Sequence, residues 1–198
     1  MRRLFTVLFG ILLLSLLVST VSAVIDSWPN WDEAAKYPDS TGDALPLEDM
    51  TICYVTHDAQ SLYFRIEIPG GQVGERAVLI YLDVDQNQAT GDSGSDEDYG
   101  YDLHDLGAEW RLEYIIDFPP ILKWNSVTNG WDRVASFNMA EQSATYIMLQ
   151  VRLSDLENPE LPYVNILFIS FATPGTDWNP DAGHITYCLL YTSDAARR

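Results

Sequence analysis

Apolar and polar residues alternate with a period of two over much of the chain beyond residue 50. Leu62, Phe64, Ile66 and Ile68 interleave with Tyr63, Arg65 and Glu67, and Ile147, Leu149, Val151 and Leu153 interleave with Tyr146, Met148, Gln150 and Arg152. Side chains of a strand point alternately to its two faces, so both runs predict strands with one buried and one wetter face. Residues 51–57 are similar and meet residues 62–69 through the turn Asp58-Ala59-Gln60-Ser61, which predicts an antiparallel hairpin. Residues 76–82 and 163–173 are more continuously apolar, as in central strands covered on both faces. A further strand over 108–118 is stopped by Pro119-Pro120, and a last one begins at 184–187. Residues 121–125 and 131–137 flank Val127-Thr128-Asn129-Gly130, where Asn-Gly is a hairpin signal. On that ribbon Trp124 and Trp131 share a face, as diagonal neighbours roughly 7 Å apart if the loop has four residues. Helical spacing is absent except for a turn expected around residues 32–37. That turn lies in an irregular segment, 24–50, which Trp28 and Trp31 are expected to anchor over one end of the core. About eight strands in one domain predict an all-β fold, an antiparallel β-sandwich of immunoglobulin-like or jelly-roll-like form.

The two ends read differently from the middle. Met1-Arg2-Arg3, an apolar run over residues 4–18 and Val21-Ser22-Ala23 have the form of a signal peptide, residues 1–23. An uncleaved anchor would need about 20 apolar residues, and this run is broken by Gly10, Ser15, Ser19, Thr20 and Ser22. A secreted or cell-surface location is expected, with no membrane span after cleavage. At the other end, Cys188-Leu189-Leu190-Tyr191-Thr192-Ser193-Asp194-Ala195-Ala196 resembles a translated transposase-adapter sequence, so residues 188–198 are expected to be a non-native tail. On that reading the native chain is open to further domains beyond residue 187. The alternative is a genuine last strand over residues 185–191. No Cys53–Cys188 disulfide is predicted, because Cys188 falls in the suspect tail and Cys53 in an apolar strand where a buried free thiol is common.

Charge narrows the partners. Residues 24–187 carry seven Lys and Arg against 28 Asp and Glu, a net charge near −21. Nucleic acid and anionic lipid need clustered bases, so neither is an expected partner. The surface suits divalent cations or a high-salt habitat.

Several motifs carry a family resemblance. Thr41-Gly42-Asp43 with Glu48-Asp49-Met50, then Tyr54-Val55-Thr56-His57-Asp58 and Leu62-Tyr63-Phe64-Arg65-Ile66, resemble the opening of DOMON-like sandwiches related to the family 9 carbohydrate-binding modules. The series continues in Tyr81-Leu82-Asp83-Val84-Asp85-Gln86-Asn87, Thr90-Gly91, Gly107-Ala108-Glu109-Trp110 and Val151-Arg152-Leu153-Ser154-Asp155-Leu156. The resemblance spans residues 26–187 and implies the fold. For function it implies sugar binding, haem binding or surface display, since such sandwiches host all three. Two departures are Leu153, where the last motif usually has proline, and a long acidic insert over residues 93–105.

The acidic loop has chemistry of its own. Asp83, Asp85 and Asn87 alternate where a buried strand emerges, and calcium takes six to eight such oxygens. The spacing opens like an EF-hand and then fails, with Gln88 at the sixth position and Gly94 at the twelfth. A β-loop calcium site is expected instead, completed by Asp92 or by a distant carboxylate such as Glu109. The alternative is a solvated loop of Asx turns.

His57, His104 and His184 lack metal-ligand spacing and are expected in loops or turns without a catalytic role. No nucleophile motif occurs, and carboxylate content alone is no evidence for hydrolysis, so a non-enzymatic protein is predicted. Aromatics carry the binding expectation: Trp124 and Trp131 as a sugar-stacking platform, with Tyr99, Tyr101, Trp110 and Trp178 as further candidates. The competing fate of each is core packing. The expected function is a calcium-stabilised carbohydrate-binding-like or adhesion module facing a polysaccharide or cell-surface glycan. Alternatives are a haem-binding redox module, with Met50, Met139 or Met148 and a histidine as axial ligands, and a purely structural domain of a longer surface protein.

Overall fold

A computed structural model describes residues 27–70, 77–94, 99–115, 120–157, 159, 162–172 and 175–189. The signal-peptide reading and most of the suspected tail lie outside the described residues. Twelve strands occur among them, in chain order β1 (Ala35–Pro38), β2 (Ile52–His57), β3 (Ser61–Glu67), β4 (Ala77–Asp83), β5 (Trp110–Tyr114), β6 (Pro120–Asn125), β7 (Gly130–Ser136), β8 (Met139–Gln142), β9 (Tyr146–Arg152), β10 (Tyr163–Ala172), β11 (Gly175–Asn179) and β12 (Ile185–Cys188). One sheet runs β1-β2-β3-β9-β8; the other runs β11-β10-β4-β5-β6-β7, with β12 pairing the first half of β10. Every pairing is antiparallel, and the two sheets face each other as a β-sandwich.

The alternation of β3 and β9 sends Leu62, Phe64, Ile66, Ile147, Leu149 and Val151 into the core, where Phe64 meets Phe168 of the opposite sheet edge-on at 5.9 Å. The predicted turn between β2 and β3 forms because the Asp58 carboxylate accepts the N–H groups of Gln60 and Ser61 at 2.8 and 2.7 Å, an Asx turn. β4 is buried along its whole length because it is covered twice. Val78, Ile80 and Leu82 face the main core, while Leu79 and Tyr81 join Leu167 and Ile169 of β10 in a second cluster. Leu103, Leu106 and Ala108 roof that second cluster, so residues 99–108, which span the end of the acidic insert and the three residues after it, cover the outer face of the seven-stranded sheet.

Twelve strands replace the about eight expected. The three that no run above predicts, β1, β8 and β11, have four or five residues each and too little sequence to display a period. The helical turn expected at 32–37 is a 3₁₀ turn over Trp31–Glu33 followed by β1, whose Pro38 is tolerated at the end of an edge strand. Trp28 donates to Glu141 of β8 at 2.8 Å and Trp31 meets Tyr54 of β2 at 6.3 Å, so this segment crosses the outer face of the five-stranded sheet instead of capping one end. β12 continues through Cys188, and the N–H of Leu189 reaches the Pro162 carbonyl at 2.6 Å. Cys53 and Cys188 are both free thiols, Cys53 fully buried. Among the described residues no helix is long and apolar enough to cross a membrane.

Candidate functional site

Two regions hold the residues singled out above. The first lies where β4 ends. Asp83 is 1% exposed; its Oδ1 accepts the N–H of Gln86 at 2.5 Å and its Oδ2 accepts from the Asn165 amide at 3.0 Å. Glu109, 26 positions further along, returns beside it because the loop closes through two glycines at positive φ, Gly91 and Gly107. A Cβ on Gly91 would collide with the carbonyl of Ala108, and one on Gly107 would lie 2.9 Å from the Asn87 oxygen, so the two backbones touch only because neither residue has a side chain. Asp92 and Ala108 seal the closure with a pair of main-chain hydrogen bonds at 2.8 and 2.7 Å.

Asp83, Asp85 and Glu109 each place one carboxylate oxygen within 4.8 Å of the others. The Thr90 hydroxyl lies 2.8 Å from Glu109 Oε1, 2.9 Å from Asp85 Oδ2 and 2.8 Å from the Asn87 carbonyl, and its single proton serves one of them. Acceptors therefore outnumber donors in a half-buried space, a donor set of hard oxygens suited to a calcium-sized cation. Burial, with Asp83 and Asp85 adding repulsion, raises the Glu109 carboxyl to about 7, and burial also raises Asp83. The other two candidate ligands stand apart from this group. Asn87 turns its side-chain oxygen to the N–H of Ala89 at 3.1 Å, and Asp92 is buried at the bridge to Ala108, outside the three-carboxylate group. Thr90, which the sequence marks only as part of the Thr90-Gly91 motif, and Asn165, for which the sequence offers no signal, complete the surroundings of the carboxylates.

The second region is the outer face of the seven-stranded sheet. Trp124 and Trp131 are directly opposite in the β6–β7 ladder, 5.4 Å apart with planes at 66°. They are not diagonal neighbours, because the loop is residues 126–129, one position earlier than expected. Nor are they a flat platform. The Arg111 guanidinium lies 4.8 Å over Trp131, whose ring also meets Tyr81 at 6.0 Å, whereas Trp131 supplies the ring contact of Trp124. Arg111 is 1% exposed, paired with Glu113 at 2.6 Å, and lies 5.1 Å over Tyr99. Tyr99 stacks on Tyr101 at 5.7 Å, and Tyr101 meets Trp178 edge-on at 6.2 Å. Five of the six candidate aromatics thus form one half-buried row from β11 to β7. The sixth does not join it: Trp110 is 2% exposed in the main core, because it pairs with the inward-facing Leu82.

A shallow depression lined by Lys123, Trp124, Asn125, Ser126, Asp132 and Val134 lies beside the ribbon. Trp124 belongs both to the aromatic row and to this depression, whereas Lys123 and Asp132 pair on the opposite face of the ribbon.

His57 departs from its expected loop position. It ends β2, 7% exposed, with Nδ1 2.7 Å from the Tyr187 hydroxyl, and burial holds its imidazole below the usual range. His104 Nδ1 lies 3.1 Å from the Gly183 carbonyl, and His184 is exposed. Of the residues considered as haem ligands, Met50 lies two residues before β2 and His57 ends it, ~23 Å apart in extended chain. Met50 packs beside Cys53 in the core, while Met148 pairs with Arg65 on the outer face of the five-stranded sheet.

No protein-family model, no curated protein and no solved structure matches the chain.

Proposed function

We propose that this chain is a secreted or cell-surface recognition module without catalytic activity, a calcium-stabilised DOMON-like sandwich that engages a polysaccharide or cell-surface glycan. The observation that carries the reading is the aromatic row across the outer face of the seven-stranded sheet, Trp178, Tyr101, Tyr99, Trp131 and Trp124, all half-buried. The C–H faces of sugar rings stack on aromatic rings, and contiguous exposed apolar surface marks binding sites on soluble domains. Trp124 ends the row and has the least committed ring, so it is the residue on which binding depends most. Acidic surroundings favour neutral saccharides over polyanionic ones.

The test is binding to a panel of neutral and acidic polysaccharides. Wild type should bind a neutral glycan, and Trp124→Ala should weaken binding by about tenfold or more while lowering the melting temperature by no more than about 4 °C. Silence across the whole panel would overturn the reading and leave a purely structural domain, a role that the prior occupation of Trp131 by Arg111 and Tyr81 also supports.

A further inference from the structure

We propose that residues 39–50 form a proton-operated latch, docked on β11 while its carboxyl groups retain protons and loosened from it as they ionise. The latch is held at its end by Met50, buried in the main core, and elsewhere by polar contacts across chain-distant stretches. Asp177 of β11 accepts the N–H of Met50 at 2.6 Å, the Ser40 hydroxyl donates to Asp181 at 3.3 Å, and the Ser170 hydroxyl of β10 donates to the Glu48 carbonyl.

The same contacts crowd carboxylates together. Asp43, Asp177 and Asp181 each bring an oxygen within 4.8 Å of the others, and Asp177 is 3% exposed. Asp39 stands beside them with its Oδ2 buried and without a hydrogen-bond partner. The ionisable groups facing this cluster and the β11 surface under the latch are acidic from every side: Asp43, Asp49 and Glu48 from the latch, the last buried against Gly175 with its carboxyl raised by burial, Asp177 from β11, Asp181 from the loop after it, and the Cys53 thiol from β2. None of the described ion pairs reaches them. Carboxylates at such separations cannot all ionise without repulsion, so retained protons relieve the cluster.

Burial, then the charge of Asp177, raises Asp39 to about 8, and burial raises Asp177 to about 6. Both values lie above the unfolded range of about 4, so the docked state holds more protons than the released one across this window. For an acid raised in the folded state, the stabilisation is full below the unfolded value and is lost as pH rises through the folded one. Docking therefore weakens towards alkaline pH, the reverse of ordinary acid denaturation.

Hydrogen exchange on the full chain in chelator, corrected for the intrinsic rate, tests the proposal. Between about pH 5.5 and about pH 8.5 the opening of the Met50 amide and its neighbours should grow by up to about tenfold per pH unit, with β3 amides unchanged. Asp39→Asn should reduce that slope. So should Asp181→Asn, an exposed site that tolerates substitution if the first variant folds poorly. Equal slopes in wild type and both variants, or no slope, would overturn the latch. Protection by added calcium at alkaline pH, with none from acid, would also overturn it by showing that the cluster serves a cation.

Discussion

The main-chain carbonyl of Glu109 accepts the N–H of Trp124 at 2.8 Å, while the side chain of the same glutamate sits among the carboxylates of Asp83 and Asp85. Its own N–H reaches the carbonyl of Leu82 at 3.1 Å. One residue therefore ties the acidic loop, the central strand and the ribbon bearing the outermost indole into a single unit.

Calcium should raise the melting temperature. With a dissociation constant in the 10⁻⁴–10⁻³ M range of extracellular sites, several millimolar calcium stabilises by roughly 1–2 kcal/mol. For a domain of this size that is a rise of about 5 °C. Asp83→Ala with Asp85→Ala should abolish it in a thermal scan run with calcium and with chelator. Identical melting of wild type under both conditions would leave the loop as an acidic turn.

Gly107→Ala probes the closure itself. The residue has φ of +69°, and an added Cβ would lie 2.6 Å from the Cα of Gln88. Strain at a left-handed position and the clash should together cost more than about 1 kcal/mol. The calcium-dependent part of the melting shift should shrink with it, because Glu109 is displaced from Asp83. A variant with unchanged stability and calcium response would contradict the closure.

Two tryptophans should part company in denaturant. Trp110→Ala empties a core site and should cost about 3–5 kcal/mol. Trp124→Ala, at the edge of the outer row, should cost under about 1 kcal/mol. Equal losses in urea midpoints would contradict the opposite facing of these side chains.

His57 should shape the acid limb. Its folded-state pKa is depressed by burial, so its contribution is complete above the unfolded value of about 6.5 and is lost as pH falls through the folded one. His57→Phe removes that titration. The stability gap between wild type and variant, measured as a urea midpoint against pH, should narrow on acidification below about pH 6.5. A constant gap would mean that the imidazole is not buried in its neutral form.

Local pattern was enough to identify β3 and β9, because one buried and one wetter face imprint a period of two. The double burial of β4 likewise leaves an uninterrupted apolar run, and Asp58 announces its own turn. Asp83 and Asp85 were legible as oxygen donors at a strand end, and Glu109 as a distant partner for them. What sequence could not rank was Glu109 against Asn87 and Asp92. That choice rests on two backbones meeting at Gly91 and Gly107, a contact between residues far apart in the chain.

The aromatics divide in the same way. Sequence alone placed Trp124 and Trp131 on one ribbon face, because alternation is a property of each strand. Whether a given face looks into the sandwich or out of it depends on register with a neighbouring strand. The pairing of Trp110 with Leu82 buries the first indole, and the folding of residues 99–108 over Leu79 and Tyr81 brings Tyr99 and Tyr101 into line with Trp131. Parity along a strand is local and survives in the sequence; register between strands is fixed only when the two sheets close on their core.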